Sequence, residues 1–153
     1  MEYKFGDRLL IFNPEVLKVF YSYRQVGRLQ NEAGGILLGR IYKNEKIVIE
    51  NISTPSSADK SGRYFFERNV QKAQMIVNRA WEESNGEITY LGEWHTHPEA
   101  IPTPSTVDKK LLTNMLIDTK MENDYLFLVI VGISGYYIGS QHKGKNLEQL
   151  MGK

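Results

Sequence analysis

The unbroken apolar run Tyr125-Leu-Phe-Leu-Val-Ile-Val131 constrains the fold more than any other stretch. It has the length of one strand and no polar alternation, as expected of a central strand buried on both faces. With 153 residues, 41% hydrophobic and 24% charged, the chain falls in the range of a single domain with a real core, taken here as 1–153. It shows no internal repeat and no low-complexity segment.

Around that strand the elements follow from local signals. Arg8–Phe12 reads as a short strand, Asn13 as an N-cap and Pro14 as a first helical residue, with a helix to about Gln25. Its Val16, Leu17, Phe20, Tyr21 and Tyr23 form an apolar stripe suited to core packing, and 27–31 is a polar loop. The segment 32–42 is an apolar strand punctuated by Gly34, Gly35 and Gly39, which implies either close passage of a neighbour or a bulge. A hairpin turn at 43–46 leads into a strand over Ile47–Ile52. Ser53–Arg63 lacks periodicity and reads as a surface loop, either a lid or a plain connector, and Tyr64–Arg68 as a short strand or helix lead-in. Asn69 can cap a helix through about Ser84, with Val70, Ala73, Val77, Ala80 and Trp81 on its core face, ended by Asn85-Gly86. Glu87–His97 is a strand, and Pro98, Pro102 and Pro104 hold the next loop extended. A helix from Ser105 to about Asp118 turns Val107, Leu111, Leu112, Met115 and Leu116 inward. After the central run, Ile133-Ser-Gly135 turns the chain into a strand over Tyr136–Ser140, and 141–153 reads as a short helix or a frayed tail.

Composition excludes several functions. A formal net charge of +1, from 19 basic and 18 acidic residues, leaves no footprint for nucleic acid or an anionic membrane. The absence of cysteine removes thiolate metal sites, disulfides and Cys nucleophiles. The start lacks a basic and apolar signal segment, and no apolar run approaches the roughly 18 residues that span a bilayer, so a cytoplasmic protein is expected.

The chemistry concentrates in Gly92-Glu-Trp-His-Thr-His-Pro98 and Pro104-Ser-Thr-Val-Asp108. On a strand, His95 and His97 project from one face with Cα atoms about 7 Å apart, close enough to share an ion. Asp108 could return over a short connection as a hard oxygen ligand, giving two histidines, one carboxylate and one open position, the layout of a catalytic zinc. Ser105-x-x-Asp108 is equally a helix-capping pattern, with the serine accepting from backbone N–H and the aspartate favoured by the helix dipole. Both readings can hold together, since a hydroxyl beside a fixed ligand can donate to a developing oxyanion. A zinc hydrolase also needs a base, for which Glu32, Glu93 and Glu99 compete. Alternation puts Glu93 on the histidine face, and sequence distance does not remove Glu32. His142, in a polar tail, reads as a solvated residue. An Fe(II) site of cupin or oxygenase type draws on a similar ligand vocabulary.

Glu32-x-x-Gly-x-Leu-x-Gly, His95-Thr-His97-Pro98 and Ser105-x-x-Asp108 together resemble the JAMM signature of the JAB/MPN zinc metalloprotease family. The resemblance runs from Glu32 to the buried strand near Val131. It implies an α/β fold, a curved mixed β-sheet flanked by helices, with the site at one sheet edge. It also implies Zn2+ on His95, His97 and Asp108, Glu32 as general base and then acid, and Ser105 stabilising the oxyanion. Glu93 is not a fixed position of the family.

The compact length, the Gly92–Pro98 wording and the segments around Thr54-Pro55 and Phe65–Arg68 are most similar to the small bacterial branch. Some of its members are isopeptidases of antiphage CBASS operons that reverse ubiquitin-type conjugation of a cGAS-like nucleotidyltransferase. The resemblance therefore implies a deubiquitinase-like isopeptidase or peptidase that hydrolyses the bond after the C-terminal residue of a conjugated or ubiquitin-like protein. Its partner would be a protein substrate with a flexible tail or an isopeptide conjugate. Two other outcomes follow from the same residues: a non-catalytic binding module stapled by zinc, and a processing peptidase for a ubiquitin-like or sulfur-carrier protein.

Overall fold

The computed structural model describes residues 1–43, 45–118 and 123–153. Along the described chain come β1 (Glu2–Phe5), β2 (Arg8–Phe12), α1 (Pro14–Ser22), β3 (Gly34–Tyr42), β4 (Lys46–Ile52), β5 (Lys60–Gly62) and β6 (Phe65–Glu67). They are followed by α2 (Val70–Glu83), β7 (Thr89–Thr96), α3 (Thr106–Asp118), β8 (Tyr125–Val131), β9 (Tyr136–His142) and β10 (Glu148–Gln149). Eight strands form one sheet in the order β1-β2-β4-β3-β7-β8-β9-β10. The β2–β4 and β7–β8 pairs are parallel and the others antiparallel, so the sheet is mixed, and helices flank it as expected.

The β8 strand explains the layering. Phe127, Val129 and Val131 pack with Phe12, Ile49, Trp94 and the α1 residues Val16 and Phe20. Leu126, Leu128 and Ile130 point the other way, against Ala73 of α2 and Leu112 and Leu116 of α3. A strand fully buried on both faces requires this division, with α1 on one side and α2 and α3 on the other.

Several expectations are corrected. The helix after Asn13 ends at Ser22, short of Gln25, whose side chain is fully engaged elsewhere. The 53–63 segment is not all loop, because β5 pairs with β6 in a separate two-stranded ribbon. Val70, Trp81, Val107 and Tyr21 are exposed where an inward or core position was expected. The expected 43–46 turn includes Asn44, which lies outside the described residues. The tail is neither helical nor frayed. β10 pairs with β9, and the last residues lie along β1, with the Lys4 N–H donating to the Met151 carbonyl at 2.9 Å and the Lys153 N–H to the Glu2 carbonyl at 3.0 Å. One short segment thus bridges the two outer strands, and the curved sheet nearly closes on itself.

The glycines of β3 satisfy both readings. A Cβ on Gly34 would meet the Phe66 ring at 2.5 Å and the Trp94 carbonyl oxygen at 2.7 Å. The register also shifts at Leu38/Gly39 against β4 and at Leu37/Leu38 against β7. Gly92 takes φ 146°, with the Phe127 carbonyl so close that a Cβ would sit 1.9 Å from it. The glycine therefore permits the β3–β7 bulge that precedes the histidines.

Candidate metal centre

The site lies where β7 ends. β3 and β7 run antiparallel with Gly34 opposite His95 and Ile36 opposite Glu93, so Glu32, just before β3, arrives beside the last residues of β7. These are interior strands, so the site sits at strand ends in the middle of the sheet, not at a lateral edge as expected. Glu93, His95 and His97 share the face that carries α2 and α3. The parallel β7–β8 connection runs through α3, whose first turn returns Asp108 to the histidines.

His95 Nε2 lies 2.9 Å from Asp108 Oδ1, and His97 Nε2 lies 3.1 Å from Asp108 Oδ2. Glu32, His95 and His97 each offer a ligand atom within 4.8 Å of the others. All four residues are buried. The resemblance-derived set of Glu32, His95, His97 and Asp108 is thus brought together, with Ser105 adjoining it.

The local structure fixes each member. The Ser105 N–H donates to Asp108 Oδ2 at 2.8 Å and the Asp108 N–H to Ser105 Oγ at 3.1 Å, a reciprocal cap that holds the carboxylate rigid at the helix start. The Ser105 hydroxyl hydrogen is not used by that cap. His97 Nδ1 faces Glu99 Oε1 at 2.8 Å, which leaves Nε2 directed at Asp108. Glu99 thus orients His97, and just under half of its side chain is solvent-accessible.

The electrostatics separate the two carboxylates. Burial pushes Glu32 up to about 7, an effect opposed by His97 and reinforced by Asp108. For Asp108, burial acts upward, but the imidazoles of His95 and His97 beside it, with the Ser105 N–H, outweigh it and hold the carboxyl well below its usual range. His97 is pulled down by burial and pushed up more strongly by Asp108, Glu99 and Glu32, to about 9.

Glu93, the rival base, is committed elsewhere. Its Oε1 accepts from Arg68 Nε at 2.6 Å and its Oε2 accepts from the Tyr90 hydroxyl. Burial pushes this carboxyl up, against the pull of the Arg68 guanidinium. His142 is exposed and stacks on Phe5, 5.6 Å between ring centroids; it pairs with Tyr125 at the start of β8, whereas His95 pairs with Ile130 near that strand's far end.

A metal fits this arrangement on the chemistry of the residues alone. His95 Nε2 is buried and makes no hydrogen bond of good geometry, although Asp108 Oδ1 lies 2.9 Å away. A buried polar atom left in this state calls for a partner. Two imidazole nitrogens and a carboxylate that converge on one point supply the nitrogen and oxygen ligands zinc accepts.

Sequence reasoning missed Gln25 and Thr96. Thr96, between the histidines but on the opposite face, accepts from the Ala33 N–H at 3.0 Å and donates to Gln25 Oε1 at 2.8 Å. A threonine inside an otherwise apolar strand face was the available signal for one of them. Nothing in the sequence marked Gln25. Arg68 was also missed, its partner Glu93 lying on a different element.

Residues 21–146 match the family model described as prokaryotic homologs of the JAB domain. The chain is 36% identical over 147 residues to a CD-NTase/cGAS isopeptidase of Escherichia coli (strain TW11681), covering 95% of this chain and 91% of that relative. It is 38% identical to one of the same name from Pseudomonas aeruginosa (strain BWHPSA011 / Pa011), covering 85% and 81%. A third, from Vibrio cholerae serotype O1, is 34% identical over 90% of this chain and 85% of its own. The solution structure of protein DSY2949 from Desulfitobacterium hafniense shares the fold with a TM-score of 0.62 at 18% identity, covering 92% of this chain and 88% of its own. A mixed sheet with the expected signature gathered at its centre, and a family model matched over most of the length, identify this chain as a member of the prokaryotic JAB-domain family.

Proposed function

We propose that this protein is a zinc-dependent isopeptidase that releases a cGAS-like nucleotidyltransferase from its conjugates in CBASS antiphage defence. The observation that carries the reading is the convergence of His95, His97 and Asp108 on one buried point with Glu32 beside it. The relatives' printed name, CD-NTase/cGAS isopeptidase, supports the substrate class.

His95, His97 and Asp108 would hold the ion, and Glu32 would stay outside the ligand set. Asp108 touches both imidazoles and is held ionised, as a ligand must be, whereas Glu32 titrates near neutrality, where a base works best. Zinc bound there supplies Lewis acidity toward the scissile carbonyl and acidifies a water nucleophile. Glu32 takes the proton of the attacking water and returns it to the leaving amine. The free Ser105 hydroxyl hydrogen donates to the oxyanion while Ser105 Oγ keeps its bond from the Asp108 N–H. Burial of the four residues limits bulk water at the reacting atoms.

The test is Glu32→Gln assayed on a conjugate of the nucleotidyltransferase. We expect wild-type zinc content and a fall in kcat of roughly 10²- to 10⁴-fold, the usual range for a general base. His95→Ala should lose the zinc itself. Undiminished cleavage by Glu32→Gln would remove Glu32 as the base, and a wild-type protein that holds zinc but cleaves nothing would leave a zinc-stapled binding module.

A further inference from the structure

We infer that Gln25 and Thr96 are positioning residues that lock Glu32 in register with the histidine pair. Gln25 is 1% exposed and Thr96 is fully buried, yet both are polar. Gln25 Nε2 donates to the carbonyls of Gln30 at 3.1 Å and Arg63 at 2.9 Å, while its Oε1 accepts from the Thr96 hydroxyl at 2.8 Å. The Thr96 oxygen in turn accepts from the Ala33 N–H at 3.0 Å, and the Thr96 N–H donates to the Ala33 carbonyl at 2.9 Å. The Glu32 N–H donates to the Gly62 carbonyl at 2.7 Å, one residue from the Arg63 carbonyl that Gln25 holds.

Four segments therefore meet at one amide: the loop after α1, the lead into β3, the end of β7 and the turn of the β5–β6 ribbon. Glu32 adjoins one member of the network, Ala33, and His95 and His97 flank another, Thr96. Glu32 precedes β3 and lacks its own rung in the β3–β7 ladder, so its place is set by the Ala33–Thr96 contacts and by the Gly62 carbonyl. Gln25 ties both to a single side chain whose oxygen and both amide hydrogens are used. An apolar residue at position 25 strands the Arg63 carbonyl, leaves the Gln30 carbonyl only the 3.4 Å contact from Arg63 Nη1, and frees the Thr96 hydroxyl to rotate. A misplacement of about 1 Å between base and ligands costs on the order of 10²-fold in rate.

This inference rests on the proposed hydrolytic reading, so its test carries a readout that needs no turnover. The variants Gln25→Met, Thr96→Val and Thr96→Ser are compared with the wild type, full length and zinc-loaded. The probe is a fusion of the nucleotidyltransferase C-terminus to a fluorescent reporter, and amide exchange is followed at Glu32, Ala33 and Val129. For Gln25→Met and Thr96→Val we expect unchanged zinc stoichiometry and KM, and kcat lower by about 10- to 100-fold. The Ala33 amide should exchange at least about tenfold faster while Val129, in β8, stays protected. Thr96→Ser, which keeps the hydroxyl, should restore both rate and protection, and the Gln25→Met/Thr96→Val double variant should lose no more than either alone. A wild-type kcat in Gln25→Met, or unchanged Ala33 exchange, would overturn the inference. Should Gln25→Met not fold, Thr96→Val breaks the same contact at nearly constant volume and decides in its place. If the wild type leaves the fusion intact, the hydrolytic reading falls, and the Ala33 exchange rates alone decide the positioning.

Discussion

The proposed mechanism places two demands on the one hydroxyl of Ser105. Its oxygen accepts the Asp108 N–H and closes the first turn of α3, and its hydrogen points to no partner within that cap. Helix capping and oxyanion donation use opposite ends of the O–H group, so they do not compete. Ser105→Ala should lose both. Chemical denaturation should report about 1 kcal/mol of lost stability for the cap, and turnover should fall by about 10²-fold for the missing donor. A variant destabilised to that extent but turning over normally would confine Ser105 to capping. The residue scale also shows where sequence reading stopped. Alternation placed Glu93 on the histidine face correctly, yet its carboxylate belongs to Arg68 and Tyr90. Periodicity tells which way a side chain points and is silent about what has already claimed it.

At the scale of elements, the Arg68–Glu93 pair joins the ribbon and the start of α2 to the histidine strand. Both side chains are mostly withdrawn from water, 17% and 6% exposed, so the pair is not of the weak surface kind. Glu93→Ala would leave the guanidinium buried beside Tyr90 and Met115 without its carboxylate, a change that costs about 3–5 kcal/mol where a buried pair is broken. Urea unfolding of the metal-free protein measures it, and a loss below about 1 kcal/mol would show that water replaces the carboxylate. The long elements were readable because caps and apolar spacing marked them: Asn13 and Asn69 cap α1 and α2 through their own side chains. Of the ribbon, Phe65–Glu67 falls within the short strand read at 64–68, but Lys60–Gly62 was missed because three residues are too short to carry a period. The core face of α2 was misjudged at Val70 and Trp81 because spacing alone admits a wide apolar stripe. The packed part is Ala73, Val77 and Ala80, as the spacing implied, together with Ile76.

Over the whole molecule, the tail joins both outer strands and leaves the curved sheet with its β1 edge covered, which limits edge-to-edge association. No helix among the described residues is long and apolar enough to cross a membrane. Global stability should depend on pH through the cluster of Glu32, His97 and Asp108. In the metal-free protein, Glu32 and His97 are both raised, to about 7 and about 9, so the stability each contributes is present at lower pH and is lost as pH rises through those values. Asp108 is lowered, so its contribution is present above the ordinary carboxylate range and is lost on strong acidification. Metal-free protein should therefore melt at a lower temperature at pH 8.5 than at pH 6. Zinc competes with protons for His97, so the rise in Tm on adding zinc should be larger at pH 8.5 than at pH 6, and chelation should reverse it. A zinc effect independent of pH would place the ion away from His97.

The sequence by itself determined the buried central strand, the helices with their caps, the spacing of the two histidines at the end of β7 and the family signature. Each is written in neighbouring residues through hydrophobic periodicity, capping chemistry or the two-residue repeat of a strand. Tertiary structure alone decided that Glu93 is engaged by Arg68, that the tail runs from β9 to β1, and that a buried glutamine accepts from Thr96 on the histidine strand. Those outcomes depend on which partners meet across long sequence separations, such as the 71 positions between Gln25 and Thr96. Such meetings are set by how the whole core packs, and no local pattern encodes them.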